Sequence, residues 1–154
     1  MPQTYAALDN RQDDHQDLVV DMDGTIANHL VSILIDPNSN LSYVAPHIVD
    51  KCKLQLVRHV KPWLVQLATR TKRKLTKAIP ACQFVMSGFL TQENLKMLPL
   101  GSYGLLIGME WLDSHKTKLD YYSKNLECEN EEGRRVTLQE IQNLSQRDKY
   151  QPSK

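Results

Sequence analysis

No apolar stretch of this chain approaches the roughly 18 residues that a membrane-spanning helix needs. The opening segment, Met1 to Gln16, is polar and carries no apolar signal core, so neither membrane contact nor secretion is expected. Charge of one sign is also lacking: nineteen Lys and Arg stand against eighteen Asp and Glu, a formal net charge of +1. No long-range field recommends nucleic acid as a partner. Cysteines number three, Cys52, Cys82 and Cys128, an odd count without close spacing. That excludes a disulfide framework and a zinc site, and reads as packed, reduced thiols. His15, His29, His47, His59 and His115 show no metal-ligand spacing, so no metal or cofactor is expected. No amphipathic helix of ten residues or more is legible before the tail, and no internal repeat is found.

What remains is one domain's worth of chain, 154 residues with 41% hydrophobic content. Residues 1–16 read as a flexible leader, 17–128 as the folded domain and 129–154 as a C-terminal tail or connector. Within the domain, short β-type runs recur. Leu18 to Met22 and Ile26 to Ile35 form a hairpin whose turn chemistry is Asp23-Gly24-Thr25. Pro46, Pro62, Pro80 and Pro99 fall at intervals suited to strands. Trp63 to Ala68 and Leu75 to Ile79 flank a polar segment, Thr69 to Lys74, as the arms of an exposed hairpin would. Further strands are expected at Cys82 to Met86, Leu95 to Leu98, Leu105 to Ile107, Leu119 to Tyr122 and Leu126 to Cys128. Short helices are expected at His47 to Leu54 and Met109 to His115, and Val136 to Leu144 reads as either an extra strand or a helix. The fold class is all-β.

Two aspartate motifs compete for the chemistry. Asp21-Met22-Asp23-Gly24-Thr25 matches the opening of haloacid-dehalogenase-type phosphatases, in which the first aspartate attacks phosphorus, the second acts as acid and base, and magnesium clamps the phosphate. That reaction demands a helix-covered parallel sheet, which the proline-cut sequence does not offer. The bland reading, a polar turn using Asp-Gly, is preferred. The second motif lies in Leu30 to Asn40, an apolar run that delivers Asp36 into the polar turn Pro37-Asn38-Ser39. A second apolar run, Leu105-Leu106-Ile107, closes on Gly108. A carboxylate at a strand end, backed by an apolar strand ending in glycine, is the half-site arrangement of an aspartic protease. With one such aspartate per chain, a second chain is needed.

From Leu30 to Cys128 the sequence resembles the retropepsin-like protease of plant Ty3/gypsy-type retrotransposon polyproteins. The resemblance rests on Ile33-Leu34-Ile35-Asp36-Pro37, Ser42-Tyr43-Val44-Ala45-Pro46, Lys61 to Thr69, Leu98 to Tyr103, and Leu105 to His115. It implies a small closed β-barrel acting as a homodimeric aspartic endopeptidase on a polyprotein, inside the cell, in the cytoplasm or a retroelement particle. Asp36 would be the catalytic carboxylate, Pro37, Asn38 and Ser39 its loop, and Leu106, Ile107 and Gly108 the supporting element. Ala68, Thr69, Arg70 and Thr71 would form the flap that closes over the peptide. Two departures bear on activity. Where the family has Asp-Ser/Thr-Gly or Asp-Pro-Gly, this chain has Asp36-Pro37-Asn38, and Arg70 stands where the flap typically has glycine. The alternative reading is therefore a dimerisation or interaction module whose catalytic turn has decayed.

Overall fold

The computed structural model describes residues 19–67 and 69–139, together with the backbone of Thr4–Ala7. In chain order its elements are β1 (Thr4–Ala7), β2 (Val20–Ile26), β3 (His29–Ile35), β4 (Ser42–Val44), α1 (Pro46–Cys52), β5 (Val57–Leu67) and β6 (Lys72–Met86). They continue with β7 (Phe89–Met97), β8 (Leu105–Ile107), α2 (Met109–Ser114), β9 (Lys118–Asp120), β10 (Asn125–Glu129) and β11 (Arg135–Gln139). Strands β6, β2, β3, β8, β4 and β7 pair in that order, and β6 also pairs with β7, so the sheet closes into a six-stranded barrel. Beyond β6 the sheet extends through β5 to β1, while β9, β10 and β11 make a second, three-stranded sheet. The all-β barrel with two short helices is the expected fold class. It excludes the phosphatase reading of Asp21 and Asp23, whose chemistry needs a helix-covered parallel sheet.

The β2–β3 hairpin forms, but its turn is not at Asp23-Gly24-Thr25. The chain reverses at Ala27 and Asn28, both left-handed with φ of 49° and 68°, the geometry of the tight turns that match strand twist. Gly24 lies instead within β2, whose residues alternate between buried and half-buried. A Cβ there would sit 2.3 Å from the Val85 carbonyl oxygen. The glycine serves the close crossing of β2 over β6, not a turn.

Two of the prolines mark bends within strands rather than ends. Pro62 falls where the β5–β6 register shifts between Arg58 and Trp63, and Pro80 where the β6–β7 register shifts between Ile79 and Cys82. At the second shift Ala81 turns left-handed, φ 47°, and its amide donates to Asn94 Oδ1 at 2.8 Å. A proline that cannot donate is accommodated at such a bulge. The two runs read as separate strands are thus one bent strand, paired with β5 in its first half and with β7 in its second.

Strand β1 lies within the segment read as a leader and pairs in parallel with β5, Thr4 opposite Leu64 to Ala7 opposite Leu67. Such pairing uses main-chain groups, which composition does not reveal. At the other end, β11 falls within the segment read as a tail and pairs with β10 from Asn125–Gln139 to Glu129–Arg135. The rest of 1–18, residue 68 and residues 140–154 lie outside the described residues. The core is aliphatic around Tyr43, Phe84 and Trp111, and the three thiols are free, with Cys82 and Cys128 buried. Burial pushes the Cys82 thiol up to about 11, well away from a reactive thiolate. Among the described residues no helix is long and apolar enough to cross a membrane.

Candidate functional site

The site is built where two parallel strands end side by side. Ile33, Leu34 and Ile35 of β3 lie opposite Leu105, Leu106 and Ile107 of β8, six apolar residues that are all buried. Continuous apolar runs of this kind suit strands covered on both faces. Their last shared rung carries the chain into the site: the Asp36 amide donates to the Ile107 carbonyl at 3.0 Å. Asp36 itself is 1% exposed.

The turn after Asp36 is tied from within. The Asn38 amide donates to Asp36 Oδ1 at 2.9 Å, and the Ser39 amide donates to the Asp36 carbonyl at 3.1 Å. The Ser39 hydroxyl donates to the Leu41 carbonyl at 2.8 Å. Asn38 holds this position without entering the left-handed region, which among non-glycine residues is taken up elsewhere. The amide that points at the carboxylate is therefore supplied without a glycine. Pro37, half-buried, brings neither hydroxyl nor N–H to the turn.

The supporting element closes on the same turn. The Met109 amide donates to the Ser39 carbonyl at 2.7 Å and the Glu110 amide to the Asn40 carbonyl at 3.0 Å, so the start of α2 satisfies the loop's exposed acceptors. Gly108 makes the approach possible. A Cβ there would stand 2.4 Å from the Leu41 carbonyl oxygen and 2.6 Å from that of Ser39.

Two residues that the sequence reading did not single out complete this grip. The Gly108 amide donates to Ser42 Oγ at 3.0 Å, and the Ser42 hydroxyl donates to Glu93 Oε2 at 2.9 Å. Burial pushes the Glu93 carboxyl up, opposed by the Ser42 hydrogen bond and reinforced by the charge of Glu110. A signal existed, since Glu93 is the sole acidic residue between Asp50 and Glu110, but nothing in the sequence joins it to Ser42. Tyr121 is the other neighbour. Burial raises its phenol first, and the negative charge of Asp36 raises it further.

The residues expected to form a flap occupy a different element. Thr69, Arg70 and Thr71 form the tip of the β5–β6 hairpin, closed by the Arg70 amide donating to the Leu67 carbonyl and the Leu67 amide to the Thr71 carbonyl, both at 2.8 Å. Arg70 is left-handed, φ 73°, so the position calls for the glycine that is missing. Ala68 lies outside the described residues. Asp21 and Asp23 sit on β2, where the Tyr103 hydroxyl donates to Asp21 Oδ1 at 2.9 Å. Among the described residues no His, Cys, Asp and Glu cluster that would hold a metal ion is found.

Comparison with known proteins finds both a matching family and many solved structures of similar fold. Residues 3–134 fit the family profile described as Retroviral aspartyl protease, reaching past both ends of the 17–128 domain. The crystal structure of the retroviral protease-like domain of Ddi1 from Leishmania major superposes with a TM-score of 0.60 at 16% identity, covering 80% of this chain and 94% of that one. No curated protein matches the sequence.

Proposed function

The chain belongs to the retroviral aspartyl protease family, and on that premise we propose that it is a homodimeric aspartic endopeptidase with Asp36 as the catalytic carboxylate of each protomer. The observation that carries this is the Asp36 turn: a carboxylate at a strand end, its Oδ1 held at 2.9 Å by the Asn38 amide and its backbone anchored to Ile107. A two-fold axis would bring the same side chain from a second copy opposite the first. Two carboxylates so close share one proton, and their titrations split into two coupled steps. The ionised member takes a proton from water while its partner donates to the scissile carbonyl oxygen. No covalent intermediate or metal is required. Burial of Asp36 in the single protomer means that assembly must uncover the carboxylate.

The substrate is an extended peptide, held by main-chain hydrogen bonds to strand edges and covered by the β5–β6 hairpin. A polyprotein of a Ty3/gypsy-type retroelement is the setting the sequence resemblance favours. The test is cleavage of an unstructured peptide at mildly acidic pH, with inhibition by a statine-type compound. Asp36→Asn should lower kcat by at least about 10²–10⁴-fold, the scale of lost acid–base catalysis, with the melting curve retained. Turnover that survives Asp36→Asn would overturn the assignment.

A second reading is favoured by two observations, Pro37 without a donor in the turn and the left-handed Arg70 at the flap tip. In it the barrel dimerises as an interaction module and does not cleave. A well-folded dimer with no turnover on any peptide, and no gain from Pro37→Thr with Arg70→Gly, would establish that reading.

A further inference from the structure

Between Lys51 and Gln92 the chain carries nine Lys and Arg and no Asp or Glu. Since the whole protein is formally +1, the remainder is net acidic and the charge is sharply divided. The basic stretch is largely the β5–β6 hairpin, with Arg58 and Lys61 on one arm and Arg70, Lys72, Arg73, Lys74 and Lys77 on the tip and the other. The ion pairs among the described residues lie elsewhere, joining Lys116, Arg134 and Arg135 to Glu127, Glu129 and Glu132. None involves a hairpin cation. Arg58 and Lys77 even stand directly opposite each other across the two strands, a like-charge pairing that costs stability. Among the described residues positive charge is thus concentrated on the hairpin with no ion pair to offset it.

The backbone of the hairpin adds a second feature. Strand β1 occupies the outer edge of β5, whereas the Lys72–Leu75 portion of β6 pairs with β5 alone among the described residues. Among the described residues its outer main-chain groups face no other strand, and no proline interrupts that edge before Pro80; its cations guard it against a like-charged strand such as a second copy of itself, but not against an acidic one. Lys72 and Lys74 are exposed and, by strand alternation, project from one face about 6.7 Å apart. A strand laid against this edge presents alternate side chains at the same repeat.

We propose that the open edge of β6 binds an extended acidic polypeptide segment, one with carboxylates at alternate positions facing Lys72 and Lys74, and so selects the substrates that reach the flap. A polypeptide fits better than nucleic acid because the edge offers main-chain donors and acceptors in strand register, which a sugar-phosphate chain cannot match. The inference builds on the peptide-cleaving reading of Asp36, but its test does not use cleavage.

Binding is measured by fluorescence anisotropy on the full chain carrying Asp36→Asn. The labelled probes are a peptide alternating Glu with Val or Thr, its Gln and Lys counterparts, and a single-stranded oligothymidylate of equal charge. The acidic peptide should bind at least about tenfold more tightly than the Gln peptide at low salt, and lose that margin as salt screens the contact. Lys72→Glu combined with Lys74→Glu should abolish the margin, while Lys118→Glu on the second sheet should leave it. Melting curves confirm that the variants fold. Equal binding of the acidic and Gln peptides, insensitivity to the Lys72 and Lys74 reversals, or tighter binding of the oligonucleotide would each overturn the proposal. If acidic-peptide binding holds but the wild-type chain cleaves nothing, the protease reading fails and the binding edge stands.

Discussion

At Arg70 the backbone lies at φ 73°, where the Cβ of an L-residue crowds its own carbonyl at a cost of about 1–2 kcal/mol. The side chain is exposed and forms none of the observed ion pairs, so little offsets that strain. Arg70→Gly should therefore raise stability by about 1 kcal/mol, read as a shift of the denaturant midpoint without a change in slope. Asn38 illustrates the opposite outcome. It replaces a family glycine, yet its φ is not left-handed and its amide still reaches Asp36 Oδ1. A motif comparison flags both substitutions alike, and only the dihedral angles separate the strained one from the tolerated one.

Glu93 gives a pH test at the same scale. Its carboxyl is raised above the ordinary 4.5, chiefly by burial, so the folded state holds the proton more tightly than the unfolded chain does. The stability this contributes is full below the ordinary Glu value and is lost as pH rises through the elevated folded value. Glu93→Gln keeps an oxygen to accept from the Ser42 hydroxyl and removes the titration. Relative to wild type, the variant should thus gain stability as pH rises from about 4 to 7, as measured by chemical denaturation across that range. A constant difference would show that Glu93 does not titrate in the folded protein over that interval.

Among the elements, the junction of β8 with α2 decides whether the Asp36 turn is held. Gly108 has no left-handed φ to justify it. Its necessity is purely steric, with the Leu41 and Ser39 carbonyl oxygens within 2.6 Å of any added Cβ. Gly108→Ala must separate α2 from the loop or bend the loop itself, and should cost at least about 1–3 kcal/mol, as overpacking of a fixed backbone does. The check is a fall in thermal midpoint together with lost protection of the Met109 and Glu110 amides in hydrogen exchange. Sequence patterning found most of these elements because strands covered on both faces read as continuous apolar runs, as β3 and β8 do. It missed the hairpin turn at Ala27–Asn28 and drew one at Gly24. A glycine demanded by a crossing strand and one demanded by a turn look the same until both strands are placed.

For the molecule as a whole, the proposed chemistry requires two copies, and its signature is kinetic. Activity per chain should rise with protein concentration until the dimer saturates, and sedimentation should show the same midpoint. A concentration-independent specific activity from a species that sediments as a monomer would be incompatible with a shared carboxylate pair. What the sequence determined by itself was the fold class, the strand-borne Asp36 and its Gly108-terminated partner strand. Hydrophobic runs, turn residues and a short motif are local properties, and local properties survive in one dimension. Only the tertiary structure decided which contacts hold that aspartate and the Gly108 junction behind it. The Ile107 carbonyl, the Ser42 hydroxyl and the Glu93 carboxylate come from three strands spread over 66 residues. They meet because the barrel closes, and a closure made by main-chain pairing between distant strands leaves no periodic trace in the order of side chains.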